Sequence, residues 1–104
     1  MKFLGWTDDK WLSKNGSIIQ YDKLEHLLLA AFGSILGIFI FNFPILPVIL
    51  VLEILGILWE IKDGVVPYDK EKGLIEGFSW KDFIADNAGI LLGLIVGFAF
   101  QNFQ

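Results

Sequence analysis

The residues best suited to chemistry in this chain are one histidine and a set of carboxylates at helical intervals. His26 is the only histidine, and it stands four residues after Asp22. Glu60 and Asp63 are three apart, and Asp82 and Asp86 are four apart. Steps of three and four place side chains on one face of a helix. One histidine with several carboxylates suits zinc, manganese or magnesium. His26, Glu60, Asp63, Asp82 and Asp86 are therefore candidate metal ligands, some of the carboxylates supporting the ligands from behind. An open coordination position would activate water against an ester or a phosphate. His26 could instead act as a general base beside an orienting carboxylate. In either case His26, Glu60 and Asp86 are the candidate catalytic residues.

Each of these residues also has a plain structural reading. Asp22, Glu25 and Asp82 fall at expected helix starts, where carboxylates accept orphan N–H groups and favour the dipole. Asp22 with Glu25, and Ser79 with Asp82, have capping-box spacing. Glu60 and Asp63 end a helix, where the dipole repels negative charge. Lys62 is the nearest cation but should project from another face, and solvated head-group charges are the alternative to a site. A lone histidine near an interface is often only hydrogen-bonded. Glu53 lies mid-helix, with Asn87 and Ser34 as candidate partners, and reads either as a structural hydrogen bond or as a proton site.

The elements that must hold these groups are apolar. The chain has 104 residues, enough for one domain, and 55% of them are hydrophobic. Its mean hydropathy is +0.61. A soluble domain this small buries only a modest share of its surface, so a bilayer is the natural solvent for such a composition. Leu24–Phe43 is long enough to cross a hydrocarbon core of about 30 Å. Ile45–Ile61 and Ile84–Phe100 follow as second and third spans, with 62–81 a polar, glycine-containing connection. The breaker Asn42–Pro47 carries no charge. The spans are apolar all round, which argues against a soluble bundle. Residues 1–23 read as an interfacial preamble. Thr7 caps a short helix there, and Trp6 and Trp11 have the spacing of a hydrophobic staple. The expected fold is an all-α integral membrane bundle of three transmembrane helices with a short N-terminal interfacial helix, residues 1–104 forming one membrane domain.

Small residues share the polar faces. Asp22, His26, Ala30, Gly33 and Gly37 align on the first span. Glu53, Gly56, Glu60 and Asp63 align on the second, and Asp82, Asp86, Gly89, Gly93 and Gly97 on the third. Membrane helices approach closely along small residues, so the acids should converge where the helices pack. The same glycine stripes could drive homo-oligomer formation.

Charge placement sets the expected topology. The net charge is −4, and all eight cations are lysines. Four lysines precede the first span and four lie between the second and third, so all share one side. The positive-inside rule puts that face in the cytoplasm and the C-terminus outside, in the cell (inner) membrane. Trp6, Trp11, Trp59 and Trp80 fall near the same face, as an aromatic belt would. Nucleic acid is not an expected partner, because no basic patch lacks interleaved acids. The chain has no Cys, which excludes disulfides, cysteine-bound zinc and acylation at a cysteine. The first apolar run begins only at Leu24 and is too long for the core of a signal peptide.

The motifs resemble a family. Asp9-Lys10-Trp11-Leu12-Ser13, followed by Asp22-Lys23 and His26, is similar to the opening of the YfiM-like small bacterial envelope proteins. Glu60-Ile61-Lys62-Asp63 resembles their E-x-x-D element. Gly77-Phe78-Ser79-Trp80-Lys81-Asp82 with Asp86-Asn87-Ala88-Gly89 resembles their closing motif. The wider VanZ-like group, linked to glycopeptide resistance, has a similar skeleton. The resemblance covers most of the chain and groups His26, Glu60, Asp63, Asp82, Asp86 and Asn87 as a set without naming a reaction. It departs in one respect: YfiM-like members are described as lipoproteins, and no cysteine is present here to carry a lipid.

Three functions fit these readings. The first is a metal-assisted site acting on a membrane lipid or a lipid-linked phosphate or ester, with two helix N-termini favouring a substrate phosphate. The alternative is a non-catalytic scaffold or lipid- or peptide-binding envelope protein. The third is proton or ion passage through Glu53.

Overall fold

The computed structural model describes residues 3–7, 9–12, 19, 21–65, 68–69, 74–75 and 77–102. Among them the chain is all-helical apart from two-residue strands. Helix α1 spans Asp22–Ser34 and continues as a π-helix over Ile35–Ile40. Helix α2 spans Ile45–Val65 and α3 spans Trp80–Asn102. Between α2 and α3, β1 (Tyr68–Asp69) pairs antiparallel with β2 (Leu74–Ile75).

The first helix ends where its residue types require. Asn42 takes a positive φ of 58°, a conformation asparagine tolerates at a helix end. Pro44 follows, and its carbonyl accepts the first helical bond of α2 from the Val48 N–H. Pro47 falls within the first turn of α2, where its missing N–H leaves no bond unmade. Helix α2 starts at Ile45, as the expected second span does, so Asn42–Pro44 is the part of the Asn42–Pro47 breaker that lies outside a helix. At the other end α2 runs on to Val65, and α3 starts at Trp80. Both enter the stretch 62–81 expected to be a connection.

The N-terminal interfacial helix does not form among the described residues. Trp6–Thr7 and Trp11–Leu12 are turns, with one helix-like bond from the Asp9 N–H to the Gly5 carbonyl. Tertiary bonds have taken the backbone groups. The Lys81 ammonium donates to the carbonyls of Trp6 and Asp9, and the Leu4 N–H donates to the Phe78 carbonyl. Trp6 and Trp11 still meet edge-to-face at 6.0 Å, so the expected contact occurs on a turn rather than a helix.

Helices α1 and α3 run parallel and pack along glycine. A Cβ on Gly89 would fall on the Leu27 carbonyl, and one on Gly93 would lie 2.7 Å from the Ala31 carbonyl. At Gly97 the space is taken by the Phe39 ring, which also meets Phe98 edge-to-face at 5.0 Å. Gly33 and Gly37 face Leu52 and Val48 of α2 instead. The stripe on α3 is buried as expected, from Asp82 through Gly97. On α1 the buried line runs through His26, Ala30, Ala31 and Ser34. Gly89→Ala is expected to force the α1 and α3 backbones apart and to cost roughly 1–3 kcal/mol. Gly33→Ala meets only the flexible end of Leu52, at 2.8 Å, and should cost much less. Thermal unfolding of both variants in detergent checks this, and equal losses would refute the backbone-contact argument.

Polarity is inverted relative to a soluble protein. Among the described residues the polar Glu60, Ser34 and Ser79 are fully buried, while Leu46, Leu50, Ile54 and Leu58 of α2 and Leu91 and Ile95 of α3 are exposed. Asp22–Ile40 and Trp80–Asn102 are long and apolar enough to cross a membrane. Helix α2 has the length but carries Glu53, Glu60, Lys62 and Asp63.

Candidate functional site

The parallel register of α1 and α3 sets their first turns side by side, and the antiparallel α2 brings its last turns to the same end. Lys23 and His26 of α1 therefore meet Asp82 and Asp86 of α3 and Glu60 of α2. The segment before α1 adds Asp9. Seven carboxylates are buried among the described residues, against two lysines and one histidine. That excess of negative charge is costly away from water unless it is paired or offset by cations.

One half of the cluster is internally paired. The Lys23 ammonium donates to Asp9, and to Asp22 Oδ2 at 2.8 Å, and lies 3.1 Å from Asp82 Oδ1. The Ser79 hydroxyl donates to Asp9 Oδ2 and accepts the Asp82 N–H at 3.0 Å. Ser79 thus caps α3, as its spacing from Asp82 implies. The reciprocal half of that capping box comes from elsewhere: Glu60 Oε1, on α2, accepts the Ser79 N–H at 3.0 Å. This bond gives the fully buried Glu60 a use at a helix end where the dipole disfavours it. The other expected capping box does not form. Tyr21 holds the N-cap of α1 with no side-chain cap bond, Glu25 Oε2 accepts the Ile19 N–H, and Asp22 turns to Lys23.

The other half is built around His26. Its Nδ1 lies 2.8 Å from Asp86 Oδ1, and its Nε2 lies 3.5 Å from Asp82 Oδ2 and 3.7 Å from Glu60 Oε2. With Nδ1 engaged by Asp86, Nε2 is the ring nitrogen that faces the two carboxylates. One ligand atom each from His26, Glu60 and Asp82 lies within 4.8 Å of the others, so the group could hold a metal ion. Ligand atoms about 2.0–2.1 Å from a tetrahedral ion stand roughly 3.3–3.4 Å apart. The two histidine distances are thus close to those of a loaded site. Glu60 Oε2 is buried and has no hydrogen-bond partner. It is a polar atom that faces His26 Nε2 from beyond hydrogen-bond distance.

The structure therefore brings His26, Glu60, Asp82 and Asp86 together and separates their roles. Asp86 bonds the back of the imidazole, where it orients the ring. Asp63 is buried one turn beyond Glu60 and pairs with Lys62 at 3.0 Å, outside the three-atom group. Lys62 reaches Asp63 even though it was expected to project away, and it also lies 4.3 Å over the Trp59 ring. Glu53 is half-buried and makes no hydrogen bond or ion pair among the described residues. Its two expected partners are used on their own helices: Ser34 donates to the Ala30 carbonyl, and Asn87 to the Phe83 carbonyl. Sequence reasoning missed Lys23, Asp9 and Ser79 as members of the cluster. Lys23 had a visible signal, since it lies three and seven residues before the buried His26 and Ala30.

A cleft of about 240 Å³ opens between α1 and α2 beside His26. Its walls are Leu29, Leu52, Leu55 and Trp59, and Glu25, His26 and Asp86 line its polar end. The Trp59 ring stands edge-on to His26 at 6.3 Å. Comparison with protein-family models, curated proteins and solved structures finds no match to this chain.

Proposed function

We propose that this chain is an integral membrane protein of three spanning helices that holds a divalent metal ion at His26, Glu60 and Asp82 and hydrolyses an ester or phosphate of a lipid or lipid-linked substrate. The buried, unpartnered Glu60 Oε2 facing His26 Nε2 and Asp82 Oδ2 carries this reading. That atom makes no hydrogen bond and lies 3.7 Å from His26 Nε2, and a cation between them would engage both. A divalent ion held there supplies Lewis acidity toward an ester or phosphate oxygen and makes bound water acidic. Zinc, manganese and magnesium are the candidates. Asp86 fixes the imidazole from its far side, the arrangement that orients metal-bound histidines. Asp82 and Glu60 are themselves tied down by Lys23 and by the Ser79 N–H, so the ligand face is preorganised.

The inverted polarity supports the membrane placement. Exposed leucines and isoleucines cover all three helices, whereas water would penalise that surface by about 25 cal/mol per Å². The charged end then lies at one interface. The lysine distribution favours the cytoplasmic side of the inner membrane for it, with the C-terminus outside. The order of the motifs supports a place among YfiM-like proteins within the VanZ-like group.

A scaffold or lipid-binding role is the second reading, and the paired half of the cluster favours it. Lys23, Asp9, Ser79 and Lys81 tie the N-terminal segment to α1 and α3 without any ligand. The two readings separate in a turnover assay. The purified protein, supplied in turn with each of the three metals, is expected to hydrolyse long-chain p-nitrophenyl esters or phosphates. His26→Ala should lower the rate by about 100-fold or more. A metal-loaded wild type without turnover on either substrate class would leave the scaffold reading standing.

A further inference from the structure

We infer that the cleft between α1 and α2 takes the hydrocarbon chain of a single-chain amphiphile whose head group donates a hydrogen bond, a hydroxyl above all, toward Asp86. This narrows the substrate class and rests on the membrane placement proposed above, but not on a metal or on turnover.

The cleft has two chemically different ends. Leu29 of α1 faces Leu52 and Leu55 of α2 along its walls, with Trp59 at the head end. Beyond Leu52 the seam continues as a second apolar hollow, between Gly37 of the π-helical continuation and Val48 of α2. From Glu25 to Gly37 the seam runs roughly 18 Å at 1.5 Å per residue. That is more than half of a hydrocarbon core of about 30 Å, the depth one acyl chain reaches from an interface. The absent side chains of Gly33 and Gly37 narrow α1 and its π-helical continuation here. A Cβ on either would press on Leu52 or Val48.

The head end selects by charge. Glu25, His26 and Asp86 line it, and Asp86 Oδ2 is buried there with no hydrogen-bond partner. Gly56, also lining the cleft, leaves room for that atom: a Cβ at this position would sit 2.6 Å from Asp86 Oδ2. The orphan is an acceptor in acidic surroundings. It calls for a donor and repels an anion, so an ionised fatty acid is disfavoured against a hydroxylated or amine lipid with the same chain. The atom is also distinct from Glu60 Oε2, which faces the other side of the imidazole. These two oxygens, on opposite sides of the imidazole, therefore point to two different ligands.

Native mass spectrometry of the full chain, released from detergent with equimolar 1-monooleoylglycerol, oleylamine or oleate, tests this. One adduct per chain is expected with monooleoylglycerol or oleylamine and at least tenfold less with oleate, the better of the first two identifying the donor as hydroxyl or ammonium. Leu29→Trp and Leu55→Trp, on opposite walls and both largely exposed, should lose the adduct, and Leu91→Trp on α3 should keep it. Equal retention of oleate, adducts that survive both wall substitutions, or no adduct with either donor lipid would overturn the proposal. The hydrolase reading fails separately, through metal content and turnover.

Discussion

Purified in detergent and equilibrated with zinc or manganese, the wild-type chain is expected to carry one ion per molecule, and His26→Ala to carry none. The expectation follows from geometry rather than from acidity. Many acidic clusters bind nothing, because water and lysines satisfy them. Here Glu60 has no exposed surface, and one of its oxygens has no partner. Two of the three contact distances already approach those of a tetrahedral site. Glu60→Gln should also lose the ion, since an amide supplies no charge. Asp86→Asn removes only the support behind the imidazole and should weaken binding by about 10–100-fold. Binding should fall as pH drops, because protons compete for the same histidine and carboxylates. Elemental analysis of the four proteins, with helicity measured alongside, checks the set. An ion retained by folded His26→Ala would remove this histidine from the site.

Lys23→Met is expected to be among the most destabilising substitutions in the chain. Its ammonium is the shared partner of Asp9, Asp22 and Asp82, each buried. Methionine keeps much of the volume and leaves three carboxylates crowded together. Breaking a buried pair by removing one partner costs about 3–5 kcal/mol. The sign of the pH response follows from linkage. Without Lys23 the folded state holds these carboxylates together without the ammonium they share, so it binds protons more readily than the unfolded chain. Stability should then rise as pH falls through the carboxylate range, narrowing the gap to wild type. Melting temperatures of both proteins between neutral and mildly acidic pH measure this. A gap that does not narrow would mean that Lys23 contributes packing rather than charge.

The α3 stripe shows how much a helical period reveals. Asp82, Asp86, Gly89, Gly93 and Gly97 are all buried, because a residue's face on a helix depends only on its spacing. The same rule missed the partners. It aligned Gly33 and Gly37 with His26, yet they turn toward α2 while Ala31 and Ser34 meet α3. A helix packed between two neighbours has two buried faces, and one period describes only one of them. The π-helical stretch at Ile35–Ile40 shifts the register further, and nothing in its apolar residues announces it.

Read alone, the sequence determined the helices, the gathering of charge at one end and the candidacy of His26, Glu60, Asp82 and Asp86. These follow from composition and local spacing, which act within a few residues. Only the tertiary structure decided the division of labour. It placed Asp86 behind the imidazole and Glu60 in front of it, engaged Asp63 with Lys62, and closed Lys23 among three acids. It also replaced the expected interfacial helix with turns bonded to Lys81. The placing of Asp86, Glu60 and Asp82 and the turns held by Lys81 depend on contacts between residues dozens of positions apart, where a hydrogen bond to a distant group outcompetes the local one that spacing predicts.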